Sequence, residues 1–137
     1  MNQKILTVSI AAYNVSKYLD EALEPFTNSV YKDELEILIV DDGSKDDTAE
    51  IAKKYEERYP NTFKLVTKEN GGWGSTLNKG IEIGTGKYFK QLDGDDYFLK
   101  YPISQLQYAS QDKIKVFQIL KYLFSKGYPT LRIVFLK

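Results

Sequence analysis

The chain has 137 residues, with 19 Lys and Arg against 19 Asp and Glu, and neither His nor Cys. Without Cys there is no disulfide framework, thiol nucleophile or Cys-ligated metal; without His there is no Ser-His-Asp triad and no HExxH zinc site. Acid, base and metal chemistry must rest on carboxylates, whose oxygens suit Mg²⁺, Mn²⁺ or Ca²⁺, and zero net charge argues against a chain-wide nucleic-acid binder.

This length suits one core, and 42% apolar with 28% charged residues is ordinary for a soluble globular domain. No apolar run approaches the ~18 residues of a membrane span. The opening MNQKILTVSIAAYN lacks a signal-peptide cleavage region. With the absence of Cys, this predicts a cytoplasmic location. The charge is uneven: residues 1–99 carry 12 basic and 18 acidic side chains, residues 100–137 carry 7 and 1.

Residues 5–12 form a continuous apolar run with β-branched members, as expected of a strand buried on both faces. Ser16 is placed to cap a helix to about residue 28, with Tyr18, Leu19, Ala22, Leu23 and Phe26 on one stripe and Pro25 disturbing its last turn. Residues 35–40 (LEILIV) are the clearest buried strand, ending at Asp41, Asp42, Gly43 and Ser44. Ser44 and Asp47 have the spacing of a capping box for a helix through Tyr59. Residues 63–67 predict a third strand, followed by the glycine-rich Asn70-Gly71-Gly72-Trp73-Gly74, a helix over residues 75–83 and a stop at residues 84–86. Residues 87–92 predict a fourth strand, ending at Asp93, Gly94, Asp95 and Asp96.

Strands and helices alternating at this spacing predict an α/β fold with a mostly parallel sheet and helices on both faces. After Phe98 the rhythm changes. Residues 111–125 place Ile114, Phe117, Leu120 and Phe124 on one helical face, and residues 130–137 read as another strand. Two parts follow: residues 1–98, and a basic tail, residues 99–137, packed on the same domain. Lys113, Lys115, Lys121 and Lys126 beside the tail's apolar residues suit either a helix covering the sheet or one lying on an anionic membrane. In the second case the protein would contact the inner face of the membrane. Self-association through that face is a third option.

Ligands of open parallel sheets bind outside the carboxyl ends of the strands. Three polar clusters fall there: Ala11 to Asn14, Asp41 to Ser44, and Asp93 to Asp96. Five carboxylates with few cations on the rim suit a divalent metal or a hydrogen-bond donor, and a phosphate would need the metal as a bridge. Gly94 lets the chain turn between Asp93 and Asp95 with no side chain intervening. The plainer readings are a solvated Asp/Gly turn and helix caps.

The stretches VSIAAYNVSKYLDEAL, EILIVDDGSKDDTAEIAKKY and KENGGWGSTLNKGIEIGTGKYFKQLDGDDYF, in this order, resemble family 2 glycosyltransferases of the GT-A (Rossmann-like) fold over about residues 5–98. The resemblance implies inverting transfer of a sugar from a nucleotide-sugar donor, a UDP-sugar foremost, to a glycan or lipid-linked acceptor, as in polysaccharide biosynthesis. It implies that Ala11 belongs to the substrate-binding site and that Tyr13 lies near the uracil ring. Asp42, with Asp41 as the alternative, would accept hydrogen bonds from the base. Asn70, Gly71 and Gly72 would approach the nucleotide, and Asp93 the ribose or donor sugar. Asp95 of the Asp-x-Asp motif would bind Mn²⁺ or Mg²⁺, with Asp96 the rival ligand.

This chain departs from the family pattern in two places within the match. Ala11 stands where a small or hydroxyl residue is frequent, and a donor contact is lost there. Leu77 replaces a common Arg, and Lys79 is the alternative cation. Trp73 suits either loop packing or stacking on a ligand.

After Asp96 only Asp112 is acidic, and its surroundings do not resemble the family's general-base motif. The sequence therefore reads as a donor-binding half whose C-terminal half is missing or divergent. The non-enzymatic alternative is a nucleotide-binding or remnant α/β domain. A phosphoacceptor receiver lacks its later Lys-Pro here, and an EF-hand lacks its Gly and Glu.

Overall fold

A computed structural model describes residues 3–27 and 31–93. Seven elements alternate along them: β1 (Leu6–Ala12), α1 (Ser16–Thr27), β2 (Leu35–Asp41), α2 (Thr48–Arg58), β3 (Phe63–Thr67), α3 (Trp73–Ile83) and β4 (Tyr88–Asp93). The four strands form one sheet in the order β3-β2-β1-β4, every pair parallel. Gly94 to Asp96, the tail helix and the last expected strand lie outside the described residues.

Side-chain alternation gives the sheet two unlike faces. Leu6, Val8 and Ile10 of β1, Leu35, Ile37 and Ile39 of β2 and Phe63 of β3 are buried with Leu19, Leu23 and Phe26 of α1 and Ala52 of α2. Tyr55 and Tyr59 of α2 tilt against the Phe63 ring, with centroids 5.4 and 6.0 Å away. The other face carries Thr7, Ser9 and Phe89 and receives α3. There Gly80 permits the approach: a Cβ on it would lie 2.2 Å from Ser9 Oγ and 3.3 Å from the Phe89 ring. Helices therefore cover both faces, as expected for right-handed crossovers in a sheet whose connections reverse direction.

Most element bounds match the sequence reading within two residues, and the helix starts differ in mechanism. Ser16 is the first residue of α1 rather than its cap; its N–H donates to Asp46 Oδ2 (3.1 Å), a residue thirty positions on. Tyr18 is 47% exposed and leaves the core stripe to Leu19, Leu23 and Phe26. Ser44 and Asp47 form no capping box, since Asp47 makes no side-chain cap bond and Ser44 Oγ faces Asn14. Asp46 Oδ1 takes the Thr48 N–H at the start of α2 instead (3.0 Å). Pro25 sits in the last turn of α1, which still continues to Thr27. Among the described residues, no helix is long and apolar enough to cross a membrane.

Candidate functional site

Because β1 lies between β2 and β4, the chain leaves β1 toward one side of the sheet and returns on the other. The carboxyl ends of β1 and β4 therefore flank a switch point, where open α/β sheets bind ligands. The register sets the first positions: Ala12 pairs with Asp41, and Ala11 pairs with both Val40 and Asp93. The ladder runs one step further, with Asp42 N–H donating to the Ala12 carbonyl (2.8 Å) and Lys68 N–H to the Asp41 carbonyl (3.0 Å). Three loops thus leave the sheet side by side.

They are tied to one another by side chains. Asn14, in the left-handed region at φ 52°, suits a short polar residue there. Its N–H donates to Ser44 Oγ (2.9 Å), and its Oδ1 accepts the Lys45 N–H (2.8 Å). Val15 N–H donates to Thr48 Oγ1 (3.0 Å). Asp46 collects the N–H groups of Ser16 and Thr48 and the Thr48 hydroxyl. Burial alone would raise its carboxyl, but these donors outweigh it and hold Asp46 at about 2, below the ordinary 3.8. The loops after β1 and β2 are therefore one unit.

Asp42 joins the third loop to that unit. Its Oδ1 accepts Lys68 Nζ (2.7 Å) and the Gly71 N–H (2.9 Å), and its Oδ2 accepts the Gly72 N–H (2.9 Å). Desolvation pushes the Asp42 carboxyl up, yet Lys68 and the two glycine N–H groups more than offset it, so Asp42 lies below its usual range. Asp41, also buried, accepts the Ser44 N–H on Oδ1 (3.2 Å). Gly43, at φ 75°, lets the chain turn away directly; a Cβ there would lie 3.0 Å from the Asn70 nitrogen.

Around these buried anions the surface is aromatic and open. Tyr13 is 48% exposed and Trp73 is 54% exposed at the first residue of α3. Asn70, Gly71 and Gly72 are exposed beside them. The rim therefore offers flat apolar rings, while the ionised Asp42 carboxylate is buried at the same edge.

A family model described as glycosyl transferase family 2 matches residues 7–127 of this chain. The chain belongs to glycosyl transferase family 2. The match carries on past residue 98, where the sequence reading put a boundary. An uncharacterized glycosyltransferase, the MG025 homolog of Mycoplasma pneumoniae, is 39% identical over 98 residues, covering 69% of this chain and 32% of its own length. A putative glycosyltransferase of Bacillus subtilis, EpsH, is 37% identical over 97 residues, covering 71% of this chain and 28% of its own. The chain thus spans about a third or less of these relatives.

Solved structures share the fold. S. aureus TarS 1-349 in complex with UDP-GlcNAc superposes with a TM-score of 0.64 at 27% identity, over 85% of this chain and 30% of that one. The mannosyltransferase PcManGT from Pyrobaculum calidifontis, in complex with GDP-Man and Mn2+, superposes with a TM-score of 0.61 at 28% identity, over 69% of this chain and 28% of that one. The parallel four-stranded sheet is the GT-A, Rossmann-like arrangement of these glycosyltransferases.

The structure brings Ala11, Tyr13, Asp41, Asp42, Asn70, Gly71 and Gly72 to one edge, with the backbone of Asp93 beside Ala11. Asp95 and Asp96 lie outside the described residues. Lys79 is six residues into α3, roughly 9 Å along its axis from Trp73, and faces Glu82 at 3.8 Å, one turn further from the edge. Sequence reasoning found few cations on this rim and missed Lys68, whose ammonium reaches Asp42. It also missed Asn14 and Asp46 as ties between loops. The signal was present only as polar residues next to strand ends, with nothing to say which would meet.

Proposed function

We propose that this chain forms the donor-binding part of a glycosyltransferase that takes a nucleoside-diphosphate sugar, a UDP-sugar foremost, for inverting transfer to an acceptor hydroxyl. The observation that carries this reading is the joining of three loops at the switch point, with an ionised, desolvated carboxylate at the same edge as an exposed aromatic rim. A uracil ring stacked on Tyr13 would direct its imide N–H toward the Asp42 carboxylate, with Asp41 as the alternative. A hydrogen bond to a charged group contributes about 1.5–3 kcal/mol, enough to discriminate between bases. The structural neighbours complexed with UDP, UDP-GlcNAc and GDP-Man support a nucleotide-sugar donor.

Among the described residues, no group of three or more carboxylates is placed to hold a metal ion, and Asp42 is already committed to Lys68 and the glycine loop. The metal reading therefore rests on Asp95, with Asp96 as the rival ligand, directly after β4. A Mn²⁺ or Mg²⁺ ion there would offset diphosphate charge as the nucleotide leaves. The acceptor site and the general base are proposed to come from outside residues 3–93. The acceptor is read as a glycan or a lipid-linked sugar.

Titration of the full chain with UDP, with and without Mn²⁺, tests this reading. Binding strengthened by Mn²⁺ and abolished in Asp95→Ala is expected. Absence of UDP binding in both conditions overturns the site.

A further inference from the structure

The Lys68 side chain has no role in the reading above, yet its surroundings are the most constrained on this edge. It is 20% exposed, and its ammonium donates to Asp42 Oδ1 (2.7 Å), the Glu69 carbonyl (2.6 Å) and Ser75 Oγ (2.8 Å). An ammonium has three N–H donors, so all of them are used. Ser75 Oγ in turn donates to the Gly72 carbonyl (2.7 Å). The loop closes over this charge: a Cβ on Gly71 would meet Lys68 Nζ at 3.0 Å and Ser75 Oγ at 2.8 Å. One ammonium therefore links the end of β2, the loop after β3 and the first turn of α3.

We propose that Lys68 is a positioning residue for the nucleotide donor, holding Asp42 and the Asn70-Gly71-Gly72 loop as one preformed unit. It is enclosed and fully engaged, so it acts through Asp42 rather than by touching a phosphate. With Lys68 and the Gly71 N–H on Oδ1 and the Gly72 N–H on Oδ2, the carboxylate keeps one lone pair, on Oδ2, for a ligand N–H. Lys68 thereby keeps Asp42 ionised and sets the direction in which that lone pair points. Without the ammonium, the glycine loop would be held by two neutral N–H groups on an uncompensated buried anion, and a donor would have to order the loop as it binds. This inference rests on the donor-binding reading.

The test is a double-mutant cycle on the full chain, using UDP with Mn²⁺ as the probe and Lys68→Met, Asp42→Asn and the double variant. Lys68→Met keeps most of the aliphatic stem and removes the charge. Its UDP Kd is expected to weaken about tenfold, the effect of one lost charge-assisted hydrogen bond. In the Asp42→Asn background the same change is expected to cost nothing further, because Lys68 acts through that carboxylate. Melting temperatures report folding of every variant separately. An unchanged Kd in a folded Lys68→Met protein, or additive losses in the double variant, overturns the proposal while leaving the donor site standing. Wild-type protein that binds no UDP overturns both.

Discussion

The two ends of the sheet use the same device for different purposes. At the amino end, Glu36 of β2 accepts the Thr7 hydroxyl (2.8 Å), the Thr85 N–H (2.8 Å) and the Thr85 hydroxyl (2.7 Å), while Gly86 N–H donates to Thr7 Oγ1 (2.8 Å). At the carboxyl end, Asp42 also gathers three donors, but one is a partly buried ammonium and the other two are exposed glycines of a loop. The donors on Glu36 are neutral, and that carboxylate serves as a fixed joint. A charge pair with apolar rings left open around it makes the other end sensitive to what binds there. A carboxylate bridging segments far apart in sequence is thus a structural tie at one end and a candidate recognition element at the other.

The largest effect expected from breaking this contrast is at Asp42. Asp42→Ala takes the counter-charge from the Lys68 ammonium and the acceptor from two N–H groups, and should lower unfolding free energy by about 3 kcal/mol, at the lower end for a broken buried pair because Lys68 keeps some exposure. Urea denaturation measures it, and UDP binding should be lost in the same protein. Glu36→Ala removes three accepted hydrogen bonds at the amino end and should cost about 1.5 kcal/mol with UDP affinity unchanged. Equal loss of affinity in both variants would mean that the two ends do not differ in function.

Asp46→Asn gives the smallest effect and carries a pH signature. The carboxyl lies at about 2 when folded, against an ordinary 3.8. Its contribution is therefore full above about pH 4 and fades as pH falls toward 2. Because Asp46 is exposed, solvent screening reduces the contribution to about 1 kcal/mol. Urea midpoints of wild type and variant should differ at pH 7 and converge on acidification; a gap that persists at pH 2 would show that the tie between loops is not electrostatic.

Local patterns carried much of the fold. The apolar runs at residues 5–12 and 35–40 bracket β1 and β2, and the glycine-rich stop at residues 84–86 falls between α3 and β4. The candidate site was legible to the extent that it sits at strand ends: Asp41, Asp42 and Asp93 were singled out because open sheets bind ligands there. Ser44 and Asp47 misled because capping boxes are judged by spacing, whereas a hydroxyl in a folded chain bonds the nearest donor. For Ser44 that donor is Asn14, thirty residues away.

Periodicity and turn chemistry act over a few residues, so this sequence was enough to specify, among the described residues, four parallel strands, three helices and carboxylates at one edge. Which polar group meets which donor depended on crossovers that set Asn14 beside Ser44, Ser16 beside Asp46 and Lys68 beside Asp42, separations of 26 to 30 residues. Burial then gave the last of those pairings its weight. In water a Lys and an Asp so far apart in the chain have little reason to associate. At the end of β2, with Asp42 only 4% exposed, the carboxylate requires a partner, and the loop after β3 supplies it.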